Sequence, residues 1–167
     1  MLKPQDIVVL VHLALRGEGW TYPTVAAALG MSSSEAHAAL KRASAGGLYD
    51  EVRRVPRKRE LMELIEHGLR YVFPVDRGSI SRGHPTAHGA PPLRERIRLP
   101  EGEPIPVWPD PEGEARGEAW APLYPSVPKA ARGDQNLYEA LALIDAVRGG
   151  RARERALALK VLTERLA

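Results

Sequence analysis

The chain has 167 residues, of which 44% are hydrophobic and 27% are charged, a balance typical of folded rather than disordered proteins. It contains no cysteine, which excludes disulfide scaffolds, thiolate metal sites and thiol nucleophiles. Aromatic residues make up only 5% of the chain, so alanine, leucine and valine must supply most of the core, and this favours packing of helix on helix.

The net charge of +3 is unevenly placed. Residues 1–100 contain 15 Lys and Arg against 10 Asp and Glu, whereas residues 101–133 contain three against six. A basic first half indicates a polyanionic partner. The longest apolar run, Ile7 to Leu15, is far shorter than the roughly 20 residues of a membrane span and lacks the flanks of a signal peptide. We therefore expect a cytoplasmic protein with no membrane partner.

Three helices are predicted in the first 48 residues. Pro4 suits a first helical position, and a helix with an apolar face follows it to about Arg16. A short second helix begins near Tyr22 and ends at Gly30, since glycine adopts the left-handed conformation common at helix ends.

The third helix has the clearest start. Ser32 followed by Glu35 is a capping box, in which each side chain accepts a hydrogen bond from the backbone amide of the other residue. The helix continues to the glycines at 46 and 47, and its apolar face comprises Ala36, Ala39, Leu40 and Ala43.

The pattern then changes towards short elements. A short strand is predicted over residues 48–55 and a helix over 57–69, with inward side chains at Leu61, Met62, Ile65 and Leu69. Residues 70–75 are predicted as a strand, followed by a turn at residues 76–78.

Proline dominates the middle of the chain. Twelve of the fifteen prolines lie between Pro74 and Pro128, which excludes long helices there. Because a long structureless stretch is unusual in a compact protein, short strands are expected at Ile105–Trp108 and Arg116–Ala121.

The C-terminus is predicted as a helical hairpin, with the break at the glycines 149 and 150. Leu137, Leu141 and Ile144 recur at helical spacing before the break, and Ala158, Val161, Leu162 and Leu166 do so after it. Two amphipathic helices in so small a chain have little else to pack against, so we expect them to form a homodimer interface.

Residues 24–43 resemble a helix-turn-helix. Small alanines let the second helix approach closely, Gly30 permits the sharp turn, and Ser32 caps the third helix. In such motifs the outward residues near the start of the recognition helix read base edges in the major groove of double-stranded DNA, and basic residues hold phosphates. The residues predicted to face outward here are Ser33, Ser34, His37, Ala38 and Lys41, and Lys41 and Arg42 are the predicted phosphate contacts.

The same stretch, with the helix before it and Gly-Gly-Leu48 after it, is similar to the DNA-binding core of bacterial winged-helix regulators, broadly of the multiple-antibiotic-resistance-regulator (MarR) type. The resemblance covers about residues 1–75. It implies a dimer, a β-hairpin wing and operator binding, with Ser33, Ser34, His37, Lys41 and Arg42 as the carried-over contacts. The wing falls either at residues 48–56 or at residues 70–83. A bundle of three small helices without a DNA-related role is the alternative interpretation.

A basic run follows the motif. Residues 53–59 carry five positive charges, and four of them are candidate phosphate contacts: Arg53, Arg54, Arg57 and Lys58. The alternative is a solvated linker in which Arg57 and Arg59 pair with Glu60 and Glu63.

Signals of enzymatic chemistry are weak. Pro85 opposes a helix that would align His84 and His88 on a metal, and neither a nucleophile elbow nor a phosphate-binding glycine loop is present. We predict no enzyme activity, no metal and no cofactor. Trp108, Trp120 and Tyr124 form either a docking surface or, as we favour, a small core that holds the proline-rich segment.

The sequence therefore predicts a mainly α fold with a small β component. Residues 1–83 form a winged helix-turn-helix domain, residues 84–133 a Pro-rich acidic segment with short strands, and residues 134–167 a C-terminal helical hairpin for dimerisation. The predicted function is a sequence-specific, dimeric DNA-binding transcriptional regulator that represses a nearby promoter. The alternative is an antitoxin-like or adaptor protein that binds a partner protein through residues 74–128.

Overall fold

The first three helices lie where the sequence predicts them. The computed structural model describes residues 1–167, with α1 at Pro4–Arg16, α2 at Tyr22–Leu29 and α3 at Ser33–Ala45. Gly30 ends α2 in the left-handed region with φ of 66°. The apolar faces of the three helices pack on one another and are fully buried.

A two-stranded antiparallel hairpin follows α3 directly. Its strands are β1 (Tyr49–Asp50) and β2 (Val55–Pro56), paired Tyr49 to Pro56 and Asp50 to Val55. Of the two positions considered for a wing, residues 48–56 thus contain a hairpin and residues 70–83 do not.

The strand predicted over residues 70–75 is wrong. After α4 (Lys58–His67) the chain forms a short helix, α5 (Leu69–Val72), and the turn predicted at 76–78 is instead the start of a strand. Leu69 is fully buried where α5 packs on a C-terminal helix, while Tyr71 and Val72 are exposed. Burial of one leucine in the core outweighs the β propensity of its neighbours.

The proline-rich middle folds into a small three-stranded sheet. It comprises β3 (Arg77–Pro85), β4 (Pro106–Pro109) and β5 (Ala115–Trp120), so the two short strands expected after residue 104 are confirmed. β3 runs antiparallel to both others, β4 and β5 pair in parallel, and the sheet closes on itself. Such close approach requires glycine, because a Cβ at Gly83 would overlap the carbonyl of Trp108 and one at Gly117 would overlap that of Ile105.

The C-terminal helical hairpin is also confirmed. A short helix, α6 (Val127–Arg132), leads into α7 (Gln135–Gly149) and α8 (Ala152–Leu166). α7 runs through the centre of the molecule, in contact with α1, α4, α5, α6 and α8, and every residue from Ala140 to Arg148 is buried. The expectation that these helices have little else to pack against is wrong, because the rest of the same chain covers their apolar faces.

One continuous core joins all parts of this mainly helical α/β fold. It contains 39 buried residues, from Ile7 in α1 to Leu166 in α8. The boundary expected between residues 83 and 84 falls inside β3, so the sheet does not begin a separate segment. Trp108 and Trp120 are 1% and 2% exposed, which confirms their interpretation as core residues.

A buried ion pair on α7 ties the proline-rich middle to the helices. Asp145 accepts a hydrogen bond from Nε of Arg148 at 2.9 Å, and its other oxygen accepts from the hydroxyl of Thr86 and the indole of Trp108, both at 2.7 Å. Arg148 also donates to the carbonyls of Phe73 at 2.9 Å and Ala121 at 3.0 Å. Two charged side chains thereby satisfy polar groups from four separate places in the chain.

Substitution of Asp145 should therefore be costly. We expect Asp145→Asn to lower the free energy of unfolding in urea by about 3 kcal/mol, because Arg148 stays buried without its carboxylate partner. The matched control is Asp76→Asn, which changes an exposed carboxylate with no side-chain hydrogen bond and should shift stability by less than about 0.5 kcal/mol. Equal effects in the two variants would contradict a central role for the pair.

Candidate nucleic-acid interface

The candidate recognition helix, α3, is capped as the sequence predicts. Oγ of Ser32 accepts from the amide of Glu35 at 3.1 Å, and the amide of Ser32 donates to the Glu35 carboxylate at 2.7 Å. The backbone amide of Ser32 holds the pKa of the Glu35 carboxyl below its usual range. Tyr124 donates to the other oxygen of Glu35 at 3.2 Å, so this acidic group is engaged within the chain.

The outward face of α3 is unoccupied. Ser33, Ser34, His37 and Lys41 are exposed, and their side chains have no hydrogen-bond or ion-pair partner in the structure. The imidazole of His37 packs edge-on against Tyr22, with ring centroids 5.1 Å apart. Four of the five residues predicted on this helix are therefore available to a ligand.

Arg42 is the fifth, and the structure gives it another partner. Its Nε and Nη2 donate to the two oxygens of Asp6 on α1, at 2.9 and 2.8 Å, and the Asp6 side chain is completely buried. These hydrogen bonds raise the pKa of Arg42. The bidentate pair fixes α3 to α1, so we withdraw Arg42 from the candidate DNA contacts.

The hairpin tip beside α3 is held in one conformation. Oδ1 of Asp50 accepts from the amides of Val52 and Arg53, both at 3.0 Å, which closes the turn and lowers the pKa of Asp50. Arg54 has φ of 58°, and its carbonyl accepts from the Trp20 indole at 3.2 Å. The Arg54 guanidinium lies 4.3 Å from the centroid of the Trp20 ring, a cation–π contact.

A cleft of about 220 Å³ separates α3 from the hairpin. Its lining includes His37 and Lys41 from α3, Glu51 and Arg54 from the hairpin, and the rings of Tyr22 and Tyr49. The structure thus brings together candidates that lie 17 positions apart in sequence, from the helix and from the basic run.

The rest of the basic run divides between two surroundings. Arg53 at the hairpin tip and Arg57 before α4 are exposed, and their side chains have no hydrogen-bond or ion-pair partner. Nζ of Lys58 instead lies 3.5 Å from the carbonyl oxygen of Ala167, to which it donates a hydrogen bond. The alternative interpretation as an ion-paired linker holds only for Arg59, which lies 3.6 Å from Glu63.

Sequence reasoning missed the aromatic support of this surface. Trp20 contacts Tyr22 and Tyr49 edge-on, with ring centroids 5.2 and 6.5 Å apart, and it also anchors Arg54. The available signal was an aromatic pair two residues apart at the start of α2, in a chain poor in aromatic residues.

The histidines considered for a metal have separate partners. Nε2 of His84 lies 3.1 Å from Asp110, whereas Nδ1 of His88 lies 3.5 Å from Glu154. No group of three or more His, Asp or Glu side chains in the structure is arranged to hold a metal ion.

Comparison with known proteins gives no evidence for or against a DNA-binding role. No family model, no curated protein and no solved structure matches the chain. None of its helices has both the length and the apolar character that a bilayer crossing requires.

Arg42 and Lys41 are neighbours on α3, and substitution of each residue tests whether its side chain stabilises the fold or is free to bind a ligand. We expect Arg42→Gln to lower the free energy of unfolding by about 3 kcal/mol, because the completely buried Asp6 loses its charged partner. Lys41→Gln removes the same charge from an exposed, unpaired position and should leave stability within about 0.5 kcal/mol of the parent. Urea denaturation measures both, and a stable Arg42→Gln protein would return Arg42 to the candidate contacts.

Proposed function

We propose that the chain binds double-stranded DNA with α3 in the major groove and the β1–β2 hairpin against the adjacent backbone. α1–α3 and this hairpin would then act as a winged helix-turn-helix. The observation that carries the proposal is the capped α3, whose outward polar face has no partner within the chain and lies beside a fixed hairpin that bears arginines. Helices of this kind fit the major groove and read base edges from their N-terminal residues.

The candidate contacts would divide into two roles. Ser34 and His37, near the start of α3, would contact bases, whereas Lys41, Arg53, Arg54 and Arg57, which are also exposed, would contact phosphates. The role we propose in the cell is regulation of transcription, as a repressor of a nearby promoter.

The homodimer needs an interface other than the C-terminal hairpin. α7 and α8 bury their apolar faces within the chain, so each copy folds around its own core. Sedimentation with and without DNA determines whether two copies bind one site.

The partner-protein alternative has less support from the structure. It depends on residues 74–128 as a free docking segment, but three strands of this segment form a closed sheet and its two tryptophans are buried in the core. No exposed aromatic cluster remains there to anchor a partner.

The salt dependence of binding tests the phosphate contacts. Each phosphate contact contributes about 0.9 to the slope of log affinity against log salt. Arg53→Ala with Arg57→Ala should make that slope shallower by about 1.8 per bound chain, with equal loss on operator and random duplex, because phosphates carry no base information. The matched control is Arg153→Ala with Lys160→Ala, which removes two exposed charges of α8. If the control variant changes the slope as much, the hairpin is not the contact surface.

Base discrimination tests the orientation of α3. A genomic-fragment selection with the parent protein supplies the operator, and Ser34→Ala and His37→Ala are then compared on operator and random duplex. Each base contact should contribute about 1–3 kcal/mol on the operator alone. Failure of the folded parent to select any fragment, at low salt, would contradict the proposed function.

A further inference from the structure

A cavity of about 280 Å³ lies between the small sheet and the helices α6 and α7. Its lining includes the rings of Trp108 and Tyr138 and the side chains of His84, Glu114 and Arg132. Every lining residue lies between positions 84 and 138, outside the helix-turn-helix and its hairpin. The volume is just below the usual range of ligand pockets, so it suits a ligand of a few non-hydrogen atoms.

Arg132 is the one basic side chain in the lining apart from His84, and it already has partners within the chain. Its guanidinium donates to the carboxylates of Asp110 and Glu112, with Nη1 2.9 Å from the Glu112 oxygen. A guanidinium held between two carboxylates is not free to attract an anionic ligand.

The other side-chain donors of the lining are also committed. The Tyr138 hydroxyl donates to the carbonyl of Pro85 at 2.7 Å, and the Trp108 indole donates to Asp145, also at 2.7 Å. Burial raises the pKa of Tyr138 to about 12, so the hydroxyl keeps the proton that it donates. The Gln135 amide donates to a carboxylate one turn further along α7 at 3.4 Å. Each donor side chain of the lining thus has an acceptor in the chain.

Two acceptors of the lining, in contrast, have no partner. The Glu114 carboxylate is exposed and makes no hydrogen bond or ion pair within the chain. The second acceptor belongs to His84, whose Nε2 lies 3.1 Å from the Asp110 carboxylate. Because a carboxylate only accepts, Nε2 carries the hydrogen, and the neutral ring leaves Nδ1 as an acceptor. Nδ1 has no hydrogen-bond partner and is not fully buried, so a ligand that donates hydrogen bonds can reach it.

The charges at the cavity favour a cation as that ligand. Carboxylates outnumber the single guanidinium of the lining, and they belong to Asp110, Glu112 and Glu114. Arg94, whose charge also acts on the Tyr138 hydroxyl, is not part of the lining. Glu114 therefore remains as a negative charge without a counterion in the chain.

The apolar part of the cavity limits which cations fit. The rings of Trp108 and Tyr138 meet edge-on with their centroids 5.8 Å apart, and Pro128 and Ala131 extend the apolar lining. Aromatic faces attract cations and also bury hydrocarbon. A hydrated inorganic cation would leave this apolar surface uncovered, whereas a short alkyl chain would bury it.

We propose that this cavity binds a small organic ammonium ion. Its N–H groups donate to the Glu114 carboxylate and to Nδ1 of His84, and its alkyl chain lies against the rings of Trp108 and Tyr138. This goes beyond the proposed DNA binding and does not depend on it, because no lining residue belongs to α1–α3 or to the β1–β2 hairpin.

The test follows the resonances of the His84 imidazole and the Trp108 indole by NMR in the full chain at one fixed pH. The probe is butylammonium at millimolar concentrations. Two matched probes each lack one property, since 1-butanol has no charge and tetramethylammonium has no N–H to donate. We expect saturable shifts with butylammonium, and binding of both matched probes that is weaker by at least about tenfold.

Variants assign the binding to this cavity. Glu114→Gln, at an exposed position, should keep the fold and weaken butylammonium binding by at least about tenfold. Glu164→Gln removes the same charge from an exposed position of α8 and should bind like the parent. The proposal is overturned if butylammonium produces no saturable shift, if either matched probe binds as tightly, or if the two variants bind alike. Because no DNA is present, these outcomes are separate from those of the DNA experiments.

Discussion

Asp145 and Arg148 form the buried ion pair at which the proline-rich middle of the chain joins the helical core. Their partners come from Thr86, Trp108, the loop at residues 73–74 and Ala121, all remote from α7 in sequence. A segment with twelve prolines makes few backbone hydrogen bonds of its own, so side chains must satisfy the remaining polar groups. The two side chains satisfy these polar groups from a single helix, α7. Their hydrogen bonds therefore fix the position of the small sheet relative to α7.

A second ion pair performs a related task between α1 and α3. Asp6 on α1 accepts from the amide of Lys3 at 2.8 Å and from the Arg42 guanidinium, and so sets the position of α3 against the first helix. One continuous apolar core includes residues of both α1 and α7. The candidate DNA surface and the proline-rich sheet are therefore attached to the same core rather than to separate ones.

Local signals in the sequence predicted the helices well, and long-range packing explains where the predictions went wrong. Pro4, Gly30 and the Ser32–Glu35 capping box act within one helical turn, so the bounds of α1–α3 follow from the sequence alone. The helical conformation of residues 70–72 and the covering of α7 depend on contacts with residues far away in the chain, which no periodicity reveals. For the same reason the outward residues of α3 were predictable, while the partner of Arg42 and the support from Trp20 were not.

The anchored hairpin has a thermodynamic consequence for association. Strands of only two residues would sample many conformations if they were free, and a partner would have to suppress that motion on binding. Here the Asp50 carboxylate, the Trp20 indole and the stacked Arg54 guanidinium have already restricted the tip during folding. Binding to a rigid polyanion should then resemble docking of two preformed surfaces. The hairpin would lose little conformational entropy on binding, so its flexibility would have little effect on the affinity.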